Sequence, residues 1–194
     1  MPTKTATPER RSARERLLAA AEELFYEEGV NTVGIDRVIE RAGVAKASLY
    51  DCFGSKEELI RAYLEARQKS RQTRINARME RYRAPRDKLL AVFEVFGELF
   101  KDTKYRGCAF IRASAEVKPG SSIKTVCDES RAWLHDLFAQ LAKEAGARDP
   151  SQLADQLMLV YDGAAVSAQM DRNEAAAASA RSMAALLLDA ATKN

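Results

Sequence analysis

Cysteine and histidine are scarce in this sequence: Cys52, Cys108, Cys127 and His135 are all that its 194 residues hold. An odd number of thiols with no CxxC spacing argues against a secreted disulfide framework, and four scattered ligands make a poor zinc set. No metal and no cofactor are therefore expected. No apolar run reaches 18 residues, and the polar, basic N-terminus leads into no apolar core. That excludes a bilayer span or a signal peptide and leaves a soluble cytoplasmic protein, with no membrane partner, as the expectation. HExxH, Walker, GxGxxG and GxSxG patterns are all missing. His135 has Asp136 beside it, but adjacent residues of a helix do not share a face. The chain is accordingly expected to have no catalytic residue and not to be an enzyme.

Charge is modest overall, at +3, but unevenly placed. Lys4, Arg10, Arg11, Arg14 and Arg16 face only Glu9 and Glu15 in the first 16 residues, and residues 61–88 carry ten basic side chains against three acids. A positive N-terminal half suits a polyanion, although a solvated helix face has the same appearance.

Strand-like alternation is nearly absent, while apolar residues recur at helical spacing throughout, so the fold class is all-α. Residues 1–8 form an expected flexible arm. A first helix is predicted from about Pro8 to Glu28, with Leu17, Ala21, Leu24 and Phe25 as its stripe. Short helices follow over 35–42 and 46–53, then a capping box Ser55/Glu58 opening a helix that runs to about Tyr82. Beyond Arg67 its apolar pattern thins, as in a segment bridging two bodies. After Pro85, helices are predicted over 86–102, 105–117, 122–146, 151–170 and 174–191. The division expected is a domain over residues 1–60 and a larger one over 61–194.

The two shortest helices are joined by Gly43-Val44-Ala45, which is helix-turn-helix spacing. Ala42 permits a close crossing, Gly43 a left-handed backbone, and Leu49 and Phe53 at i and i+4 point inward. A plain αα corner would use the same residues. It would not explain the other face, where Lys46, Ala47, Tyr50, Asp51 and Cys52 are left outward or lateral on a helix too short to be stable alone. Such a helix fits a major groove, where lysine reaches guanine, an alanine methyl meets the thymine methyl, and a carboxylate accepts from cytosine. Ser48, Tyr50 and Lys56 suit phosphate oxygens, and the helix start near Lys56 adds backbone donors.

Residues 42–59 hold the frame AGV-x-K-x-x-LY-x-x-F-x-SKEEL nearly intact over 18 positions. Together with LLAAAEELFYEEG before it, this stretch resembles the TetR/AcrR family of transcriptional regulators over residues 14 to about 64. The resemblance implies an N-terminal three-helix helix-turn-helix domain and a larger C-terminal helical ligand-binding and dimerisation domain. It also implies a homodimer on double-stranded palindromic operator DNA, usually a repressor released by a small ligand, in the bacterial cytoplasm and on the nucleoid when bound to DNA. Carried over, Lys46, Ala47, Asp51 and Cys52 take base-reading positions, and Gly34, Ser48, Tyr50 and Lys56 phosphate positions. Two departures stand out. Ala45 replaces the usual serine or threonine cap, and Asp51-Cys52 replaces a more frequent aromatic or histidine pair.

In the second body, Phe93, Phe96, Phe100, Phe110, Trp133, Phe138 and Tyr161 are candidate walls of a cavity for a small, largely apolar effector, although each also suits a plain core. RGCAFIRASAE, residues 106–116, resembles a segment of one subgroup of the same regulators. Its Arg112 either neutralises an acidic ligand group or pairs with Glu116. The last two helices are rich in alanine, and close approach through Leu153, Leu157, Val160, Ala164 and Ala168 on one and Ala176, Ala180, Met183 and Leu187 on the other would build an intersubunit four-helix bundle. A helical adaptor without sequence-specific DNA binding and a thiol-responsive regulator using Cys52 are the alternative readings. Cys108 and Cys127 read as small buried apolar residues.

Overall fold

The computed structural model describes residues 11–192, which form nine α-helices and fall into two compact units, one ending at Tyr63 and one beginning at Leu64. The expected arm over residues 1–8 lies outside the described residues. In the first unit α1 spans Ala13–Glu28, α2 Ile35–Ala42 and α3 Lys46–Phe53, and α4, Lys56–Met79, contributes its opening turns.

The start of α1 is set by a reciprocal cap that the sequence reading missed when it began the helix at Pro8. Ser12 Oγ accepts from the Glu15 amide at 3.2 Å while Glu15 Oε2 accepts from the Ser12 amide at 2.8 Å. These bonds satisfy two otherwise orphaned donors and hold the Glu15 carboxyl below its ordinary range. Leu17, Ala21, Leu24 and Phe25 are buried along its inner face, and Val38, Leu49, Leu59 and Ile60 are buried in the same unit. The Phe25 and Tyr63 rings pack edge to face, 5.8 Å between centroids.

The α2–α3 corner closes as a Schellman turn. Gly43 takes φ +61°, its amide donates to the Glu40 carbonyl at 3.1 Å, and the Val44 amide donates to the Ile39 carbonyl at 3.3 Å. Serine 55 caps α4 as expected, accepting from the Glu58 amide at 3.1 Å. The other half of the capping box is replaced, because the Glu58 carboxylate is bonded to Arg61 at 2.7 Å.

In the second unit α5 spans Pro85–Leu99, α6 Ala109–Glu116, α7 Ser122–Glu144, α8 Pro150–Met170 and α9 Ala176–Thr192. One apolar core, drawn mainly from α5, α7, α8 and α9, is shared with Ile75 of α4. Where the apolar pattern of α4 thins, polar side chains replace it. Arg78 pairs with Glu94 at 3.3 Å, and Glu94 also accepts from the Tyr82 hydroxyl at 2.9 Å and from Arg181 of α9 at 3.2 Å. The segment read as a bridge thus packs as part of the second unit. Helix α6 starts later than the expected residue 105, because Gly107 takes φ +89° and a Cβ there would lie 2.0 Å from Gln169 Oε1. Among the described residues no helix is long and apolar enough to cross a membrane.

Candidate nucleic-acid interface and ligand cavity

Helix α3 is held by two side chains. Leu49 is fully buried and Phe53 nearly so, and the Arg14 guanidinium lies 5.1 Å from the Phe53 ring centroid. Burying one leucine contributes about 1.5–3 kcal/mol, enough to fix a two-turn helix that would not persist alone. The outward positions follow from that anchoring. Lys46, Ala47, Tyr50 and Asp51 are exposed, whereas Ser48, Cys52 and Lys56 are half-buried. Gly34 caps α2 with a backbone in the extended region and open space around its Cα. Ala45 caps α3 without a side-chain bond.

Lys46 is not idle in this conformation. Its Nζ bonds Asp36 Oδ1 at 3.0 Å, and this bond, with the charge of Asp36, raises its pKa. Both side chains are well exposed, so the pair is solvent-screened and easily exchanged. A base acceptor meeting Lys46 therefore replaces a carboxylate, and Asp36 must turn away.

The second unit holds a cavity of about 310 Å³ between α4, α6, α7 and α8. Of the aromatic residues expected there, only Phe110 and Tyr161 line it. Phe93, Phe96, Phe100 and Phe138 are spent on the core instead: Phe93 stacks on Phe138 at 5.6 Å, Phe96 on Phe100 at 4.9 Å, and Phe96 meets Tyr161 at 4.1 Å. Ring pairs of this kind add to area burial, so filling space won over leaving it empty. Trp133 lies beside the Arg71 guanidinium, 5.6 Å from its ring centroid, without lining the cavity. Arg112 is half-buried and does not line it either. The basic side chain at the wall is Arg71 of α4. Burial pushes the Cys127 thiol up to about 11 and the Tyr161 hydroxyl up to about 12, so both stay neutral at pH 7.

Residues 17–63 match the description "bacterial regulatory proteins, tetR family". The whole chain is similar to sav143, a chain of Streptomyces avermitilis assigned to the TetR transcriptional regulators. Identity is 33%, 95% of this chain and 100% of that one are covered, and the TM-score is 0.83. The chain belongs to the TetR family. SCO4454, a TetR-family transcriptional regulator from Streptomyces coelicolor, superposes with a TM-score of 0.89 at 28% identity, over 93% of this chain and 96% of that one. The transcriptional repressor NemR of Escherichia coli is 28% identical over 171 residues, 82% of this chain and 85% of that protein. The protein is thus a helix-turn-helix DNA-binding regulator of transcription and not an enzyme.

For a TetR-family chain, the residues expected at a subunit contact divide unequally. Leu153 and Leu157 are buried in the chain's own core, and Ala164, Ala168, Ala176 and Ala180 are buried in it as well. Val160 and Met183, with one edge of Ala164, Ala176 and Ala180, line a shallow groove along α8 and α9, and Leu187 is half-buried outside it. The outer apolar residues that sequence reasoning missed are Leu159, Val166, Met170 and Leu186, of which Leu159, Met170 and Leu186 are more than two-thirds exposed at 72%, 77% and 71%. Helical spacing finds a stripe but does not say which edge of it the monomer consumes.

Proposed function

We propose that this TetR-family protein is a homodimeric repressor that binds a palindromic operator and leaves it when a small, largely apolar effector enters the second unit. The observation carrying the reading is the orientation of α3. With Leu49 and Phe53 turned inward, Lys46, Ala47 and Asp51 meet base edges, with Cys52 at the flank of the same face. Tyr50, Ser48, Lys56 and the Gly34 corner meet phosphates. The first unit is the DNA reader, and the second is the effector and dimerisation body. A two-fold dimer would set its two α3 helices about 34 Å apart, one turn of duplex.

Dimerisation is supported by the apolar outer face of α8 and α9, where Leu159, Met170 and Leu186 stand in water in the single chain. Effector control is supported by the cavity and by α4, which carries Lys56 at its start and Arg71 at the cavity wall. The effector must bind the operator-competent and operator-incompetent states unequally, since equal affinity shifts nothing.

Selection of duplexes from a random pool, followed by mobility shift over a salt series, tests the reading. The expectation is one palindromic sequence, a protein dimer per site and a steep loss of affinity with salt. Binding without sequence preference would favour an adaptor. Loss of binding on diamide oxidation that is cured by Cys52→Ser would favour thiol control.

A further inference from the structure

Among the side chains that line the cavity, one positive charge is left without a carboxylate. Three basic side chains, Arg71, Lys124 and Arg131, and two acids, Asp128 and Asp162, line it. Lys124 is bonded to Asp128, and Arg131 is bonded to Asp162 at 2.6 Å. These two pairs cancel, and with Cys127 and Tyr161 neutral at pH 7 the remaining charge is that of Arg71.

Among the described residues no carboxylate pairs with Arg71. Its guanidinium is held by neutral groups: Nη2 donates to Gln68 Oε1 at 2.7 Å, to the Ser130 carbonyl at 2.7 Å and to Ser130 Oγ at 2.5 Å. Ser130 is itself buried and its hydroxyl donates a hydrogen bond to Gln68 Oε1 at 2.7 Å, which fixes the cradle. The Phe110 ring lies 4.8 Å from the guanidinium carbon and the Trp133 ring 5.6 Å. The Nε proton is buried without any acceptor. This half-buried guanidinium, set among aromatic rings with its Nε donor unused, has no carboxylate as counter-ion. Such a side chain suits a ligand that supplies the missing charge, and arginine matches a carboxylate in shape as well as sign. Phe110, Ile111, Leu134 and Met158 give the wall an apolar stretch beside Ser114 and the two ion pairs.

We propose that this cavity takes a small monocarboxylate with an apolar body, its carboxylate paired with Arg71 and its body against Phe110, Leu134 and Met158. The inference rests on the effector reading above and sharpens it: the effector is an amphipathic acid rather than a neutral apolar compound. At about 310 Å³ the cavity sits at the low end of small-molecule sites, roughly 300–1,000 Å³.

The protein contains one tryptophan, Trp133, which makes the test direct. Octanoate and 3-phenylpropionate, each against its neutral primary amide, are titrated into the full-length dimer while Trp133 emission is followed. At least one acid should bind saturably below ~10 mM and at least about tenfold more tightly than its amide. Arg71→Met should abolish that preference, and Arg71→Lys should retain part of it, since the charge stays while the fork is lost. No saturable binding by either acid, equal affinity for acid and amide, or full acid affinity in a folded Arg71→Met protein would each overturn the proposal. If Arg71→Met does not fold, the acid–amide comparison and Arg71→Lys decide. Operator release is scored separately. Acids that bind through Arg71 but leave the operator complex intact would remove the effector reading and keep this site, whereas release by the amides alone would do the reverse.

Discussion

Arg16 of α1 reaches across to the helix-turn-helix corner and donates through Nη1 to the carbonyl oxygen of Gly43 at 2.9 Å. A second, longer bond of 3.4 Å goes to Ala42. The positive charge lies at the C-terminus of α2, where the helix dipole is negative and carbonyls lack partners. One residue of the scaffold therefore satisfies the turn that aims α3. Arg16→Met should keep the apolar stem and lose both bonds, lowering stability by about 1–3 kcal/mol. Urea unfolding of the full chain, followed with operator affinity, checks this. Unchanged stability would show the bonds to be solvent-exchanged and without weight.

Lys46 and Tyr50 divide the work of α3 differently. Lys46→Ala should change preference at one base step, by about 1–3 kcal/mol, and leave other sequences nearly alone. Tyr50→Phe should weaken all duplexes alike, by about 0.5–1.5 kcal/mol, since a phosphate contact carries no sequence information. Asp36→Asn removes the partner that holds Lys46 at 3.0 Å, so it should raise affinity and steepen the salt dependence. Parallel affinity profiles across an operator library for the two α3 variants would remove this division.

Ala45 opens α3 in an extended conformation, φ −73° and ψ 152°, with no side-chain cap. That backbone is the one a capping serine adopts, so Ala45→Ser needs no rearrangement. It should stabilise the protein by about 1 kcal/mol. Thermal unfolding checks the gain, and tighter operator binding is expected if fraying of α3 limits recognition. A lower midpoint would mean that the added hydroxyl meets a neighbour instead of the Ala47 or Ser48 amide.

The first unit was legible because its signals are local. Gly43, the i and i+4 pair Leu49/Phe53 and the Ser55 cap each fix backbone within a few residues, and all lie where they were expected. The start of α1 was less legible although its signal is equally local, because Ser12 and Glu15 sit inside a run of charge that a solvated helix face shares, and Pro8 also suits a first helical position. The cavity was hardly legible. Its walls come from four helices, and which aromatic residues face it depends on pairings such as Phe93 with Phe138 that no spacing reports. Arg71 gave no signal at all, since ten basic residues stand in residues 61–88 and nothing in their spacing marks the one that reaches the cavity wall.

The outer face of α8 and α9 makes a prediction that separates packing from association. Leu186→Glu and Met170→Glu alter side chains that stand in water in the single chain, so the folded monomer should survive. In a dimer the same carboxylates are buried without partners. Sedimentation should show monomers, and operator affinity should fall by roughly 10²-fold or more as the second reading head is lost. Leu157→Glu, placed in the core, should unfold the protein instead. Dimers that persist in both surface variants would place the subunit contact elsewhere.

Alkaline pH should destabilise the second unit through two buried acids. The Cys127 thiol is raised from 9.0 to about 11 and the Tyr161 hydroxyl from 10.0 to about 12, both chiefly because burial disfavours the anion. In the unfolded chain each ionises near its ordinary value, so above pH 9 the unfolded state releases protons that the folded state keeps. The stability these groups contribute is complete below pH 9 and is lost as pH rises through 11 and then 12. Cys127 alone should account for about 1–3 kcal/mol of that fall. Urea midpoints measured from pH 8 to 11, against Cys127→Val over the same range, read the effect directly. The substitution keeps an apolar side chain of similar size but removes the proton, so the variant's curve should be flatter between pH 9 and 11. Curves that run parallel over that interval would mean that the thiol ionises in the folded protein as readily as in water, and that the Cys127 side of the cavity wall is wet.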